Sequence, residues 1–268
     1  MPSKKHLGQH FLQNKGKLLK IVHAINPNIS QVIEIGPGRG ELTQHLLAAG
    51  FRVVCIEKDV EMTPVLREKF SSEIKRGMLH IIEGDALEKI SNFKLSIINT
   101  KENYVVVGNI PYYITGHLLR IIGDLTHKPT QTIILIQKEV AVRVCAEPGE
   151  MNLLAASVGW WADARIITHV PRSMFSPPPQ VDSAVVALEA RNGEQITDNT
   201  KHKTTYFTCV HAVFKQPRRT IIKNLVDAGI ARERVQEELQ KIDLPLTARP
   251  QDLSIEKIII LSELFEKS

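Results

Sequence analysis

Between residues 32 and 188 the chain repeats one pattern, a short run of β-branched and apolar residues followed by a stretch with helical spacing. The runs are 32–35, 52–56, 79–82, 104–107, 132–136, 165–170 and 184–188, and helix-like segments such as 41–49 and 117–122 lie between most of them. Apolar strands separated by crossover helices form a mostly parallel sheet covered on both faces, so the pattern predicts an α/β fold. Between the sixth and seventh runs the gap is short and Pro171, Pro177, Pro178 and Pro179 cluster in it. No helix of ordinary length fits there. A hairpin does, and the last strand is therefore expected to be antiparallel.

Past residue 190 the pattern changes. The polar stretch 191–199 has a single large apolar residue, Ile196, and reads as a linker; apolar residues then recur at helical spacing in 206–214, 221–226 and 255–265. Two domains are expected, 1–190 carrying the sheet and 191–268 comprising the linker and a small all-helical domain. A chain of 268 residues with 43% hydrophobic and 24% charged residues suits one large and one small domain, at about 100–200 residues each. No stretch approaches the roughly 18 uncharged apolar residues of a spanning helix. The most apolar early run, 18–25, is broken by Lys20 and His23 and makes a poor signal-peptide core, so a cytoplasmic protein with no membrane partner is expected. Cys55, Cys145 and Cys209 are far apart, with no CxxC pair. This argues against a disulfide framework or a zinc site; no metal is expected, and the thiols read as small buried hydrophobes.

Basic charge is segregated along the chain. The net charge is +5, yet residues 1–33 carry five lysines (Lys4, Lys5, Lys15, Lys17, Lys20) and residues 201–223 six bases (Lys201, Lys203, Lys215, Arg218, Arg219, Lys223), neither with an acid. The remainder is net negative. Segregation of this kind suggests a polyanion, and nucleic acid is the commonest one in cytoplasm. Two solvated basic faces remain the competing reading.

The first strand runs directly into Gly36-Pro37-Gly38-Arg39-Gly40 and then a helix, a tight turn whose amides suit a nucleotide-like ligand. Glu57 ends the second strand, 21 positions after Gly36, where an acidic side chain can accept from ribose hydroxyls. Those two features fit a dinucleotide dehydrogenase and an S-adenosylmethionine methyltransferase equally. Gly84-Asp85-Ala86 closes the third strand, placing Asp85 where it can accept from an adenine amino group. A surface position for Glu57 and an ordinary helix N-cap for Asp85 compete with these roles.

Asn109-Ile110-Pro111-Tyr112, at the end of the fourth strand, separates the two classes. Hydride transfer has no use for an amide, a proline-fixed carbonyl and an aromatic ring at one spot. Methylation of an exocyclic amine does, because that nitrogen's lone pair is delocalised into the purine. The Asn109 oxygen and the Ile110 carbonyl can each accept one N–H and draw the nitrogen toward tetrahedral geometry, Pro111 keeps the carbonyl preorganised, and Tyr112 stacks on the base. Phe175, held by a stiff proline-rich segment, is expected to stack on the other face of a flipped adenine, with a core position as the alternative. No general base is expected.

These residues resemble a known family. Gly8-Gln9-His10-Phe11-Leu12, Glu34-Ile35-Gly36-Pro37-Gly38, Gly84-Asp85-Ala86, Gly108-Asn109-Ile110-Pro111-Tyr112, Gln137-Lys138-Glu139-Val140, the Phe175 to Val186 string and Phe214-Lys215-Gln216-Pro217-Arg218-Arg219-Thr220 are similar, in order, to the KsgA-type (RsmA) small-subunit ribosomal RNA adenine dimethyltransferases. The resemblance runs from residue 4 to about residue 225. It implies a Rossmann-like methyltransferase sheet with a small C-terminal helical domain, and methyl transfer from S-adenosyl-L-methionine to the amino nitrogens of two adjacent adenines near the 3' end of small-subunit ribosomal RNA. It also implies cofactor contacts at His10, Leu12, Gly36, Glu57, Asp85 and Asn109, joined by Gly38 of the turn. The position of His10 is Asn in many relatives of that family, which leaves open whether the contact runs through side chain or backbone. The expected partner is ribosomal RNA within a pre-assembled small subunit, bound by a monomer through Lys4, Lys5, Lys215, Arg218, Arg219 and Lys223. A macrolide-resistance-type enzyme acting on the large subunit, and a non-catalytic ribosome-assembly or nucleic-acid-binding factor, are the competing functions.

Overall fold

The computed structural model describes residues 10–91, 102–191 and 200–266. The chain forms two compact units, one of residues 1–141 with 164–190 and one of residues 142–163 with 191–268. The second unit thus draws on two stretches of chain, and 142–163 falls inside the segment expected to belong wholly to the first domain. Of the anticipated linker, 191–199, residues 192–199 lie outside the described residues.

The strands are β1 (Phe11–Leu12), β2 (Gln31–Ile35), β3 (Arg52–Glu57), β4 (Leu79–Glu83), β5 (Tyr104–Asn109), β6 (Gln131–Gln137), β7 (Ala162–Val170), β8 (Phe175–Ser176) and β9 (Ser183–Ala190). The helices of the first unit are α1 (Lys15–His23), α2 (Glu41–Ala48), α3 (Met62–Lys69), α4 (Ser71–Lys75), α5 (Ala86–Ser91) and α6 (Thr115–Asp124); α7 (Lys138–Val144) passes from the first unit into the second. A seven-stranded sheet has the order β4-β3-β2-β5-β6-β9-β7. Pairs β2/β3, β2/β5, β3/β4 and β5/β6 are parallel, and β6/β9 is antiparallel. Each of the seven expected runs is a strand of this sheet. The last one is antiparallel as expected, but it inserts between β6 and β7 and is not an edge. Its first six residues are all buried, which an interior position requires.

One face of the sheet is read off by alternation. Val32, Val53, Cys55, Leu79, Val105, Val107, Ile133, Leu135, Val185 and Ala187 all join one apolar cluster with Leu18, Ile21 and Val22 of α1 and Leu42 and Leu46 of α2. Their i, i+2 spacing puts them on a single side of the pleat. The residues between them, such as Ile33, Val54, Val106, Ile134 and Val186, are buried as well, so both faces are covered. Truncating a fully buried member such as Leu46 to alanine should cost about 2–5 kcal/mol.

The sheet order turns back on itself at β2, with β3 and β4 on one side and β5 and β6 on the other. In register, Ile35 lies beside both Ile56 and Gly108, and Glu57 beside Glu83. The carboxyl ends of four parallel strands therefore share one edge, with a switch point between β2 and β5, where α/β sheets bind ligands. Gly108 permits the approach, since a Cβ there would stand 2.6 Å from the Ile35 carbonyl oxygen.

The second unit holds α8 (Leu153–Gly159), α9 (Thr200–Val213), α10 (Ile221–Asp227), α11 (Arg232–Lys241) and α12 (Ile255–Ser262). Tyr206 of α9 is fully buried, donates to the Ala156 carbonyl at 2.8 Å and packs its ring 4.6 Å from that of Trp160. Asn224 of α10 donates to the carbonyls of Val213 (2.8 Å) and Gln216 (3.0 Å), so a buried amide closes the end of α9 and holds the turn that follows. Cys55 and Cys209 are buried and Cys145 is half-buried, all as free thiols. Among the described residues no helix is long and apolar enough to cross a membrane.

Candidate functional site

A cleft of about 860 Å³, counting space open to solvent, lies along the switch-point edge. Of the predicted residues, His10, Gly36, Gly38, Glu57, Asp85, Asn109, Ile110, Pro111 and Tyr112 all line it. Leu12 borders an adjoining hollow together with Glu34, Gly36, Pro37, Glu41 and Asn109.

The turn after β2 is built by glycine. Gly36 and Gly38 have φ of 64° and 55°, conformations that side-chain-bearing residues rarely adopt. A Cβ on Gly38 would also stand 2.6 Å from the Phe11 ring. Glu57 props this turn from β3. Its Oε2 accepts from the Gly38 amide at 3.0 Å and its Oε1 from the Asp59 amide at 2.8 Å. The side chain is 6% exposed, so the surface alternative for it does not hold, and burial pushes its carboxyl up while those amides pull it down. Each carboxylate oxygen retains acceptor capacity.

Asp85 takes the helix-cap position weighed for it and also faces the cleft. It lines the cleft, and its Oδ1 accepts from the Leu87 amide at 2.9 Å as a cap for α5. Its Oδ2 meets the Lys58 ammonium at 2.8 Å. Partial burial alone would raise its carboxyl, but Lys58 and the Leu87 amide hold it below the ordinary carboxylate range.

Asn109 ends β5 and donates from Nδ2 to the His10 carbonyl at 2.6 Å. A carbonyl only accepts, so the amide nitrogen must face it, and Oδ1 is left as the free acceptor beside the cleft. Ile110 donates its N–H to the Leu135 carbonyl at 3.1 Å, and Pro111 sits at φ −53°, which together fix the peptide that follows Asn109. The Tyr112 hydroxyl is tied to Ser183 Oγ at 3.0 Å, at the start of β9. Burial raises the Tyr112 phenol above its ordinary value.

Phe175 is not brought to the cleft. It is 5% exposed, faces Leu12 in the two-stranded sheet β1/β8 and belongs to the apolar cluster. The proline-rich segment fixes this ring, but packs it inward, so the stacking position expected for it is replaced by the core alternative. Lys58 and Tyr113 are among the cleft residues that the sequence reading did not single out. Lys58 follows Glu57, and Tyr113, 64% exposed, follows Tyr112. A second exposed aromatic beside the Asn-Ile-Pro-Tyr motif was the available signal for Tyr113; Lys58 offered none.

Of the basic residues, Lys4 and Lys5 lie outside the described residues. In the second unit Lys215, Arg218 and Lys223 are exposed. Arg219 instead pairs with Asp227 at 2.5 Å. No group of His, Cys, Asp and Glu suited to a metal ion occurs among the described residues.

The sequence matches the ribosomal RNA adenine dimethylase family over residues 2–267. The chain belongs to that family. It is 33% identical over 268 residues to the ribosomal RNA small subunit methyltransferase A of Fusobacterium nucleatum subsp. nucleatum, covering 98% of this chain and 97% of the relative. To the protein of the same description from Mesoplasma florum it is 32% identical over 260 residues, 96% of each chain. Two solved structures share the fold. The 23S rRNA methyltransferase ErmE superposes with a TM-score of 0.77 at 23% identity, covering 96% of this chain and 99% of its own. A dimethyladenosine transferase from Plasmodium falciparum gives 0.76 at 24% identity, covering 96% and 98%. The architecture is thus a Rossmann-like methyltransferase sheet with an antiparallel β9 and C-terminal helices.

Proposed function

We propose that this family member transfers methyl groups from S-adenosyl-L-methionine to the N6 atoms of two adjacent adenines near the 3' end of small-subunit ribosomal RNA. The observation that carries the reading is the orientation of Asn109, whose Nδ2 donates one N–H to the His10 carbonyl and so leaves Oδ1 as an acceptor for a substrate. An acceptor beside a proline-fixed carbonyl suits a group with two N–H bonds, an exocyclic amine. The small-subunit assignment draws on the names of the relatives and on the Pro177 to Val186 string.

The residues present fit the cofactor. The glycine turn presents backbone to the cleft at Gly36 and Gly38, and Glu57 and Asp85 stand on the same edge with acceptor capacity for ribose hydroxyls and an adenine amino group. When bound, the cofactor supplies a methyl made electrophilic by its sulfonium sulfur. The chain does the rest by placement. Asn109 Oδ1 and the Ile110 carbonyl accept the two N–H groups of the target amine, which directs its lone pair away from the ring, and Tyr112 stacks on the base. Glu57 and Asp85 are held by amides and by Lys58 and do not serve as bases; the methylated nitrogen gives up its proton to water. The exposed Lys215, Arg218 and Lys223 hold backbone phosphates, and the cytoplasm is the compartment where this substrate is met.

The test is to supply methyl-labelled cofactor with undermethylated small and large subunits in parallel. Label in the small subunit alone is expected. Label confined to the large subunit moves the protein to the macrolide-resistance class, and label in neither leaves a non-catalytic binding factor.

A further inference from the structure

The five lysines near the start of the chain have no acid among residues 1–33 to balance them, and Lys15, Lys17 and Lys20 fall on α1. Lys17 and Lys20 are three positions apart, which puts them on one helix face. That face meets the end of β7, the strand that closes one side of the large sheet. There Lys17 Nζ donates to Thr168 Oγ1 at 2.8 Å and to the His169 carbonyl, and Lys20 Nζ lies 3.5 Å from the same Thr168 oxygen. Two ammonium groups thus converge on one hydroxyl and stand within about 6 Å of each other, close enough to repel. Among the described residues neither has a carboxylate partner. Desolvation and the Lys20 charge hold the Lys17 ammonium below its ordinary value.

One lysine meets the needs of the fold. Lys17 covers the Thr168 hydroxyl and a carbonyl of an edge strand, a position where natural sheets place lysine. Lys20 is exposed and adds only a contact at the limit of hydrogen bonding and a like charge beside the first. The first turn of α1 also holds no acid, so its dipole is opposed and not matched. An anion seated between the two ammonium groups relieves both.

The place of the pair says which anion. α1 begins three positions after β1, and β7 leads through Met174 into β8. β1 and β8 pair with each other, and the Gln13 amide donates to the Met174 carbonyl at 3.1 Å. His10 and Phe11, at the start of the same small sheet, line the cleft. Both segments that carry the basic pair therefore run from the sheet that borders the site.

We propose that Lys17 and Lys20, with Thr168 between them, clamp a backbone phosphate of the RNA substrate, a contact on the first unit in addition to the exposed bases of the second. This rests on the reading of the cleft as an RNA methylation site. Lysine ammonium groups are point charges, so the clamp retains and orients the RNA without reading its bases.

The experiment measures binding of undermethylated small subunits across a range of salt for the wild type, Lys20→Ala and Lys20→Arg. Lys20 is the residue changed because Lys17 also serves β7. Lys20→Ala is expected to weaken binding about 5- to 8-fold at about 0.1 M salt, with the slope of log K against log salt shallower by about 0.7–0.9. Lys20→Arg should keep both near the wild type, and kcat/KM for subunits should fall in Lys20→Ala by the same factor, through KM. Thermal unfolding of Lys20→Ala should come no lower than in the wild type, since a like charge has been removed. Wild-type affinity and slope in Lys20→Ala would make Lys20 a solvated residue and overturn the clamp. Weaker binding with an unchanged slope, or with a lowered unfolding midpoint, would overturn it too, by making Lys20 a support of the fold. A wild type that binds and labels no small subunit fails the methylation reading itself, whereas those results appear in a protein that still binds and methylates.

Discussion

The cleft of the first unit and the basic turn of the second are both rich in polar side chains, and they treat them in opposite ways. In the cleft nearly every polar group is already engaged by the protein. Asn109 is held by the His10 carbonyl, Glu57 by two amides, Asp85 by Lys58 and an amide, and Tyr112 by Ser183. In the turn 215–223 the backbone is held, by Asn224 on the Val213 and Gln216 carbonyls, while Lys215, Arg218 and Lys223 extend into solvent. Chemistry on a poor nucleophile demands acceptors fixed before the substrate arrives, since reorganisation would consume the gain. Holding a polyanion demands only charge at roughly the right place. On the proposed function, this difference suits the cleft to chemistry and the basic turn to substrate retention.

Breaking the cleft at its acceptor should have the largest effect. Asn109→Ala removes a preorganised group acting on the reacting amine and should reduce turnover at saturating cofactor on the order of a hundredfold or more, with subunit affinity nearly unchanged. Turnover at the wild-type rate would separate Asn109 from the chemistry.

The support beneath the glycine turn gives the next effect, on stability. Glu34 of β2 is fully buried, accepts from Thr43 Oγ1 at 2.6 Å and from the Cys55 thiol at 3.4 Å, and burial pushes its carboxyl from 4.5 up to about 7. A group raised in the folded state contributes stability that is complete below its unfolded value and lost as pH rises through its folded one. Wild-type stability should therefore fall between pH 4.5 and about 7 relative to Glu34→Gln, by on the order of 3 kcal/mol. Parallel denaturation curves for the two proteins across that range would mean that the carboxyl is already ionised when folded.

Glu57→Ala comes third. It strips the Gly38 and Asp59 amides of their acceptor and should weaken S-adenosylmethionine binding by about 1–3 kcal/mol. Unchanged affinity by calorimetry would take Glu57 out of the cofactor site. The smallest effect belongs to the exposed region. Arg218→Ala combined with Lys223→Ala should leave cofactor affinity alone, weaken subunit binding at moderate salt and make the slope of log K against log salt shallower by about 1–2. Arg219→Ala should change the slope less, because its charge is already met by Asp227 at 2.5 Å. A slope matching the wild type in the double variant would return this turn to a solvated face.

The strands of the large sheet were legible because each carries a run of apolar, often β-branched residues long enough to show a pattern. The insertion of β9 between β6 and β7 was not, since neighbour order depends on packing between segments far apart in sequence; the unbroken apolar run Ala184 to Leu188 was the one hint of an interior strand. Strands β1 and β8 have two residues each, too few for any periodicity, and with them went the direction of Phe175. The cleft was legible wherever a special backbone requirement or an unusual residue combination marks the site, as at Gly36, Gly38 and Asn109 to Tyr112. The Lys58–Asp85 pair and the contact of His10 with Asn109 arise from chain segments that meet only in the folded molecule, separated by 27 and 99 positions.

The most direct test of the account is nucleoside mapping of the product. Undermethylated small subunits incubated with the protein and labelled cofactor should yield two adjacent N6,N6-dimethyladenines near the 3' end of their RNA, and the same incubation with Asn109→Ala, stopped when the wild-type reaction is complete, should yield almost none. Label on any other base, or full dimethylation by the Asn109→Ala variant, would contradict the assignment of this cleft.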